Sequence, residues 1–229
     1  MFKLTRAGFL SAAGASLVAG AIPLRAAFAA TDQQGVVDKA RSTIEDLKRD
    51  PQFGTAKDLM HRARAVIIVP RLFKAGFFVG GEGGSGVMVA HGSKGWGAPA
   101  FYTLGSASFG LQIGAQTSEL VLFIMSQKAL DAVMQNQFKI GVGAGIAVVT
   151  LGTSVEGATT AAAGADIVAW ASSSGAYAGI TLNGSILAPA ADDNRAYYGR
   201  ALTTQQIIAG VQDPDPNGAA LRQTLASVR

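Results

Sequence analysis

The sequence predicts an α+β fold: a curved, glycine-rich, mostly antiparallel sheet, barrel-like in its curvature, with flanking helices. Three observations predict it. Short β-branched or alternating runs follow one another, separated by glycine-rich turns. Segments of helical period stand before, within and after those runs. Glycines also recur inside the runs, where a flat sheet has no use for them.

Residues 33–50 form the first helix, with Val36, Val37, Ala40, Ile44 and Leu47 on one face, and Pro51 stops it. Its other faces mix Lys39, Arg41, Lys48 and Arg49 with Asp38, Glu45, Asp46 and Asp50. Two readings fit: a helix docked on the core, or one lying on a membrane surface. The mixed charge signs favour the first. Thr55 caps a shorter helix running to about residue 63. Residues 65–69, AVIIV, are a strand bounded by Pro70, and residues 71–74 form a connector.

Next comes GFFVGGEGGSG, residues 76–86, in which Gly81, Gly83 and Gly86 spell G-x-G-x-x-G. That pattern cradles a dinucleotide only between a strand and a helix. Here the apolar run 87–90 and the turn 91–97 follow it, so no helix opens. The expectation is a hairpin turning on the glycines of 81–86, with the phosphate cradle as the weaker alternative.

Residues 108–116 alternate, and residues 120–125 are apolar on both faces, as a central strand requires. Ser126 caps a helix carrying Leu130, Val133, Met134 and Phe138 as a core stripe. In residues 140–146, Ile140, Val142 and Ile146 share one face and Gly141, Gly143 and Gly145 the other. Such a strand fits tight packing in a curved sheet, or the close approach of a ligand. A loop at 153–166 precedes a strand at 167–170. Residues 175–187 form two strands hinged at Asn183-Gly184, and 192–194 a turn. Residues 202–209 and 219–228 are closing helices.

Lys3 and Arg6, the uncharged run 7–22 and Ala27-Phe28-Ala29 together read as an export signal, residues 1–29. Residues 5–10 resemble a twin-arginine signal with Ala7 in place of the second arginine, so the general secretory route fits at least as well. Residues 30–229 are then one domain with an N-terminal amphipathic helix, located in the periplasm or cell envelope. Three of the 19 Lys and Arg residues lie in 1–29, which leaves 16 against 15 Asp and Glu, a formal charge of +1. Bulk charge therefore gives nucleic-acid binding no support. The chain has no cysteine, which excludes disulfides, thiolate metal sites and cysteine nucleophiles.

No catalytic constellation is written in the sequence, and no cofactor is expected. G-x-S-x-G is absent. His61 and His91 are the two histidines, and neither has a ligand partner at metal spacing, so no metal is expected either. Residues 213–218, DPDPNG, imitate an EF-hand loop, but Thr224 stands where the bidentate Glu belongs, and an N-cap at Asn217 accounts for them. Glu82 and Glu119 have no evident partner in the sequence.

One series of motifs goes further. In order, they are Pro70 with Lys74-Ala75-Gly76-Phe77; GGSGVMV at 83–89; Gly95-Trp96-Gly97-Ala98-Pro99-Ala100; Gly110-Leu111-Gln112-Ile113-Gly114; Ser118-Glu119-Leu120-Val121; Ser174-Gly175-Ala176-Tyr177-Ala178-Gly179; and Tyr197-Tyr198-Gly199. Together they resemble the SYLF lipid-binding family over about residues 60–200, with Gly97 where the family's W-S-x-P has serine. The resemblance implies a non-enzymatic domain that associates peripherally with anionic headgroups, phosphoinositides in eukaryotic members, which also bind actin. It also implies that bacterial members are exported. Lys39, Arg41, Lys48 and Arg49 on the helix, with Arg71 and Lys74 on the connector, are the lipid-binding candidates. The alternative is a structural envelope protein whose glycine strands assemble without a lipid.

Export predicts a mature chain that begins near Ala30. N-terminal sequencing of envelope material should read from there, and material starting at Met1 would exclude the reading.

Overall fold

Two pentapeptides, 65–69 and 120–124, are apolar at every position, and every one of their side chains is buried. A strand can be apolar throughout only where both faces of its sheet are covered. The computed structural model, which describes residues 24–50, 53–76, 79–109, 114–135, 137–141, 148–151, 164–174, 182, 184–210 and 217–228, has that arrangement. The helices are α1 (Leu24–Leu47), α2 (Phe53–Arg62), α3 (Gln127–Met134), α4 (Ala191–Tyr198), α5 (Thr204–Ile208) and α6 (Ala219–Ala226). The strands are β1 (Ala65–Gly76), β2 (Val79–Gly92), β3 (Gly95–Trp96), β4 (Ala100–Phe109), β5 (Gly114–Ile124), β6 (Phe138–Lys139), β7 (Val148–Leu151), β8 (Ile167–Ser174) and β9 (Ile186–Pro189).

One curled sheet, in the order β6-β9-β4-β2-β1-β5-β8-β7 with β3 paired to β2, holds all nine strands. Every pairing is antiparallel except β7 with β8. The fold is thus α+β with a half-barrel sheet, as expected. On one face, Val66, Ile68, Val121 and Phe123 pack with Val37, Ala40, Ile44 and Leu47 of α1, with α2 and with α6. On the other, Ala65, Ile67, Val69, Leu120 and Leu122 pack with α3 and α5. The apolar face of α1 is therefore spent on the core, and the helix is docked, although it begins at Leu24 rather than near residue 33.

Pro70 does not end the first strand, and residues 71–74 are not a connector. β1 runs through them to Gly76. Between Ile68 and Phe73 five steps of β1 oppose four of β2, from Val87 to Gly83. Between Val69 and Leu72 three steps oppose two of β5, from Leu120 to Ser118. Both neighbours see one extra residue, a bulge, which is the place where a central strand tolerates a proline. The bulge reverses the alternation, so Leu72 rejoins Val69 on the same face.

The expected hairpin over 81–86 is also overturned. β2 passes straight through those residues, paired with β4 from Val79 to Met88. No helix follows, which removes the phosphate-cradle geometry. The physical role of two of these glycines is close approach. A Cβ on Gly84 would run into the Arg71 carbonyl and lie 2.8 Å from Val69 Cγ1. One on Gly86 would run into the Ile68 carbonyl and lie 2.9 Å from Val69 Cγ2. The bulged stretch of β1 leaves β2 no room for side chains there.

Smaller expectations also change. Thr55 lies inside α2, which starts two residues earlier. Ser126 does cap α3, accepting from the Ala129 N–H at 3.1 Å, but α3 stops at Met134 and Phe138 belongs to β6. Ile140 and Gly141 form a turn, with Gly141 at φ 77°, instead of starting a strand. Residues 192–194 are helical: Asn194 is buried and accepts the Phe101 N–H at 2.8 Å, doing the work of a neighbouring strand. Gly218, not Asn217, caps α6. Gly184, at φ 88°, does turn as expected. Expectations that rest on residues 1–23, 110–113, 142–147, 152–163, 175–181 and 211–216 lie outside the described residues.

Gly84→Ala or Gly86→Ala should cost about 1–3 kcal/mol or more, as overpacking does. Gly81→Ala meets open space and should change stability by well under that. Urea unfolding midpoints of the three variants test the ranking.

Candidate functional site

Past the bulge the described helices leave part of the sheet exposed. Arg71 and Phe73 are exposed there, Phe73 by 50%, and Lys74 is half-buried. Phe73 stands between Gly83 on β2 and Thr117 on β5, so neither of its cross-strand partners is large. Lys74 lies opposite Glu82 on β2, and Glu82 opposite Ser106 on β4, a polar row across three strands. Burial pushes the Glu82 carboxyl above its ordinary range, and the Lys74 ammonium pulls it back. This end of the sheet therefore carries two cations, an exposed aromatic ring and one reluctant carboxylate. Such a surface suits an interface with charge on one side and apolar matter behind it.

The four helix candidates are spread along α1 and its C-terminal turn, and three have local partners. Arg41 pairs with Glu45 at 3.8 Å. Arg49 pairs with Asp46. The Lys48 ammonium donates to Ser227 Oγ at 3.2 Å. Lys39 is exposed on the solvent side. These are exposed contacts of small energy. The structure thus brings Arg71 and Lys74 together with Phe73, and keeps the α1 cations apart from them on another element.

Neither Phe73 nor the Lys74–Glu82 pairing was singled out from sequence. Residue 73 read as part of a connector, and a cross-strand pair needs a register that only the bulge defines. Glu119 was equally unpaired in sequence. On β5 it accepts a hydrogen bond from the buried Thr43 hydroxyl of α1 at 2.8 Å, tying helix to sheet. Burial raises the Glu119 carboxyl, the Thr43 bond lowers it, and Asp46 raises it further.

With this geometry in hand, similarity to known proteins can be weighed. A family model described as Ysc84, Las17-binding protein actin regulator, matches residues 105–228. LAS seventeen-binding protein 3 of Saccharomyces cerevisiae is 31% identical over 174 residues, 74% of this chain and 38% of that protein. Protein YSC84 of the same yeast is 30% identical over 173 residues, 74% of this chain and 37% of that protein. The human SH3 domain-containing YSC84-like protein 1 is 31% identical over 141 residues, 61% of this chain and 41% of that protein. The chain spans less than half the length of these relatives.

A carboxyl raised by folding binds its proton more tightly in the native state. Its stabilisation is complete below the ordinary carboxylate range and is lost as pH rises through the raised value. Glu119→Gln, which keeps an acceptor for Thr43, should therefore unfold at a higher temperature than the parent at neutral pH. The gap should close below about pH 4, where the parent carboxyl is protonated. Melting curves across that range test the sign.

Proposed function

Because the chain belongs to the Ysc84 (SYLF) family, we propose that it is a non-enzymatic lipid-binding protein that associates peripherally with anionic headgroups. The observation that carries the reading is the end of the sheet beyond the bulge, where the exposed Phe73 lies in the same short stretch of β1 as Arg71 and Lys74. The ring enters the headgroup layer while the two cations meet phosphates. The apolar face of α1 is buried against the sheet, so the helix cannot insert as docked. Lys39, Arg41, Lys48 and Arg49 add a diffuse attraction at most, and the sheet end holds the headgroup. Among the described residues no helix is long and apolar enough to cross a membrane.

The working location is the face of an envelope membrane, reached after removal of residues 1–29. Such cleavage trims α1 and leaves the hydrogen bond from Gln33 Nε2 to Asp193 Oδ1, at 2.7 Å, that fastens it to α4. The family description speaks of Las17 binding and actin regulation, and the yeast relative is named for Las seventeen binding. Those partners stay with the longer proteins.

The residue-30 form should co-sediment with vesicles containing phosphatidylglycerol or a phosphoinositide in preference to neutral ones, and salt should weaken the binding. Each Lys or Arg at an anionic surface contributes about 1 kcal/mol. Arg71→Gln with Lys74→Gln should thus lower affinity by roughly 30-fold, Phe73→Ser should lower it too, and Lys48→Gln with Arg49→Gln should change it little. Equal, salt-insensitive binding to neutral and anionic vesicles would count against the proposal. No binding to any vesicle would favour a structural envelope role.

A further inference from the structure

At the opposite end of β2 from Arg71, Phe73 and Lys74, three distant parts of the chain enclose a groove of about 190 Å3. α2 supplies Met60 and His61, the β2–β3 hairpin supplies His91 and Trp96, and the C-terminal segment supplies Leu225 and Val228. Met60, Leu225 and Val228 are buried and make an apolar floor. The two imidazoles are exposed at its rim. The His91 ring stacks on the Trp96 indole with centroids 4.4 Å apart and planes 11° from parallel, so each ring holds the other in place. The backbone N–H of His91 donates to the Arg64 carbonyl at 2.7 Å, which fixes the strand under the ring.

The chemistry of the lining is one-sided. Among the described residues it offers apolar contact below, imidazole donors above and no carboxylate side chain. We propose that the groove binds a small monocarboxylic acid with a compact apolar body. The body lies on Met60, Leu225 and Val228, and the carboxylate accepts hydrogen bonds from His61 and His91. The volume sets the size: a cavity of about 150 Å3 can hold benzene, so one ring with a carboxylate arm fits here. Drug-sized pockets, at about 300–1,000 Å3, are larger. Rings held by stacking lose little freedom on binding, which favours affinity in an open groove. The site stands independently of the membrane reading, because no residue of the sheet end takes part in it.

Phenylacetate and its neutral isostere phenylacetamide are the probes. Titration of the isotopically labelled full chain, followed by nuclear magnetic resonance, should shift the ring signals of His61, His91 and Trp96 saturably with the acid. The amide should bind roughly tenfold more weakly, since hydrogen bonds to a charged acceptor are the stronger ones. His61→Ala with His91→Phe, which keeps a ring on Trp96 but removes both donors, should erase that margin while the melting temperature stays near that of the parent. Ala226→Trp, also exposed, should fill the groove and block both probes. Equal binding of acid and amide, saturable shifts confined to other residues, no saturable shift at all, or a margin that survives the double variant would each overturn the proposal.

Discussion

The close passage of β1 over β2 at the proline bulge sets the shape of everything around it. One extra residue in β1 brings the carbonyls of Ile68 and Arg71 to where the side chains of residues 84 and 86 would stand, and glycine alone fits there. The sheet bends at that line. On one side of it the strands are sandwiched between helices, and on the other Arg71 and Phe73 are exposed among the described residues. Core and candidate site therefore meet at a single irregularity in an otherwise continuous ladder. Because the bulge also reverses which face each later residue occupies, it sets the face that Phe73 takes, and Lys74, next along the extended strand, takes the other.

Much of the buried half was legible in the amino-acid order. Continuous apolar runs at 65–69 and 120–124 announce strands covered on both faces, and the stripe from Val37 to Leu47 announces a docked helix. Both signals arise from burial, which acts on every residue of a segment alike. The errors fell where one residue type serves two purposes. A proline ends most strands, but at a bulge it sits inside one. Glycines make turns, but here they also clear space for a neighbouring backbone. An Asp-Asp-Asn run favours a turn locally, until a buried Asn194 completes the hydrogen bonding of β4. In each case a contact distant in sequence overrode the local preference.

The site was legible only in part, and for the same reason. Arg71 and Lys74 stood out as cations beside a strand. What gives them context is register: Glu82 opposite Lys74, a glycine beside Phe73, and Thr43 of a distant helix against Glu119. Composition announces charges but not their neighbours. The family motifs placed the chain among relatives whose overall length it only partly spans, so the surface itself has to supply the account of what those charges do.

The strand order carries a mechanical corollary. β6 and β7 are close in sequence yet occupy opposite margins of the sheet. Laid flat, eight strands in a row would hold those margins about 33 Å apart, at ~4.7 Å per spacing. The nine chain steps from Lys139 to Val148 reach about 32 Å at full stretch, and the turn at Ile140 and Gly141 shortens that reach. That covalent length caps how far the two margins can separate: while the chain is intact the half-barrel can flex but cannot be laid flat, and a force that spreads its margins far enough is met by covalent bonds.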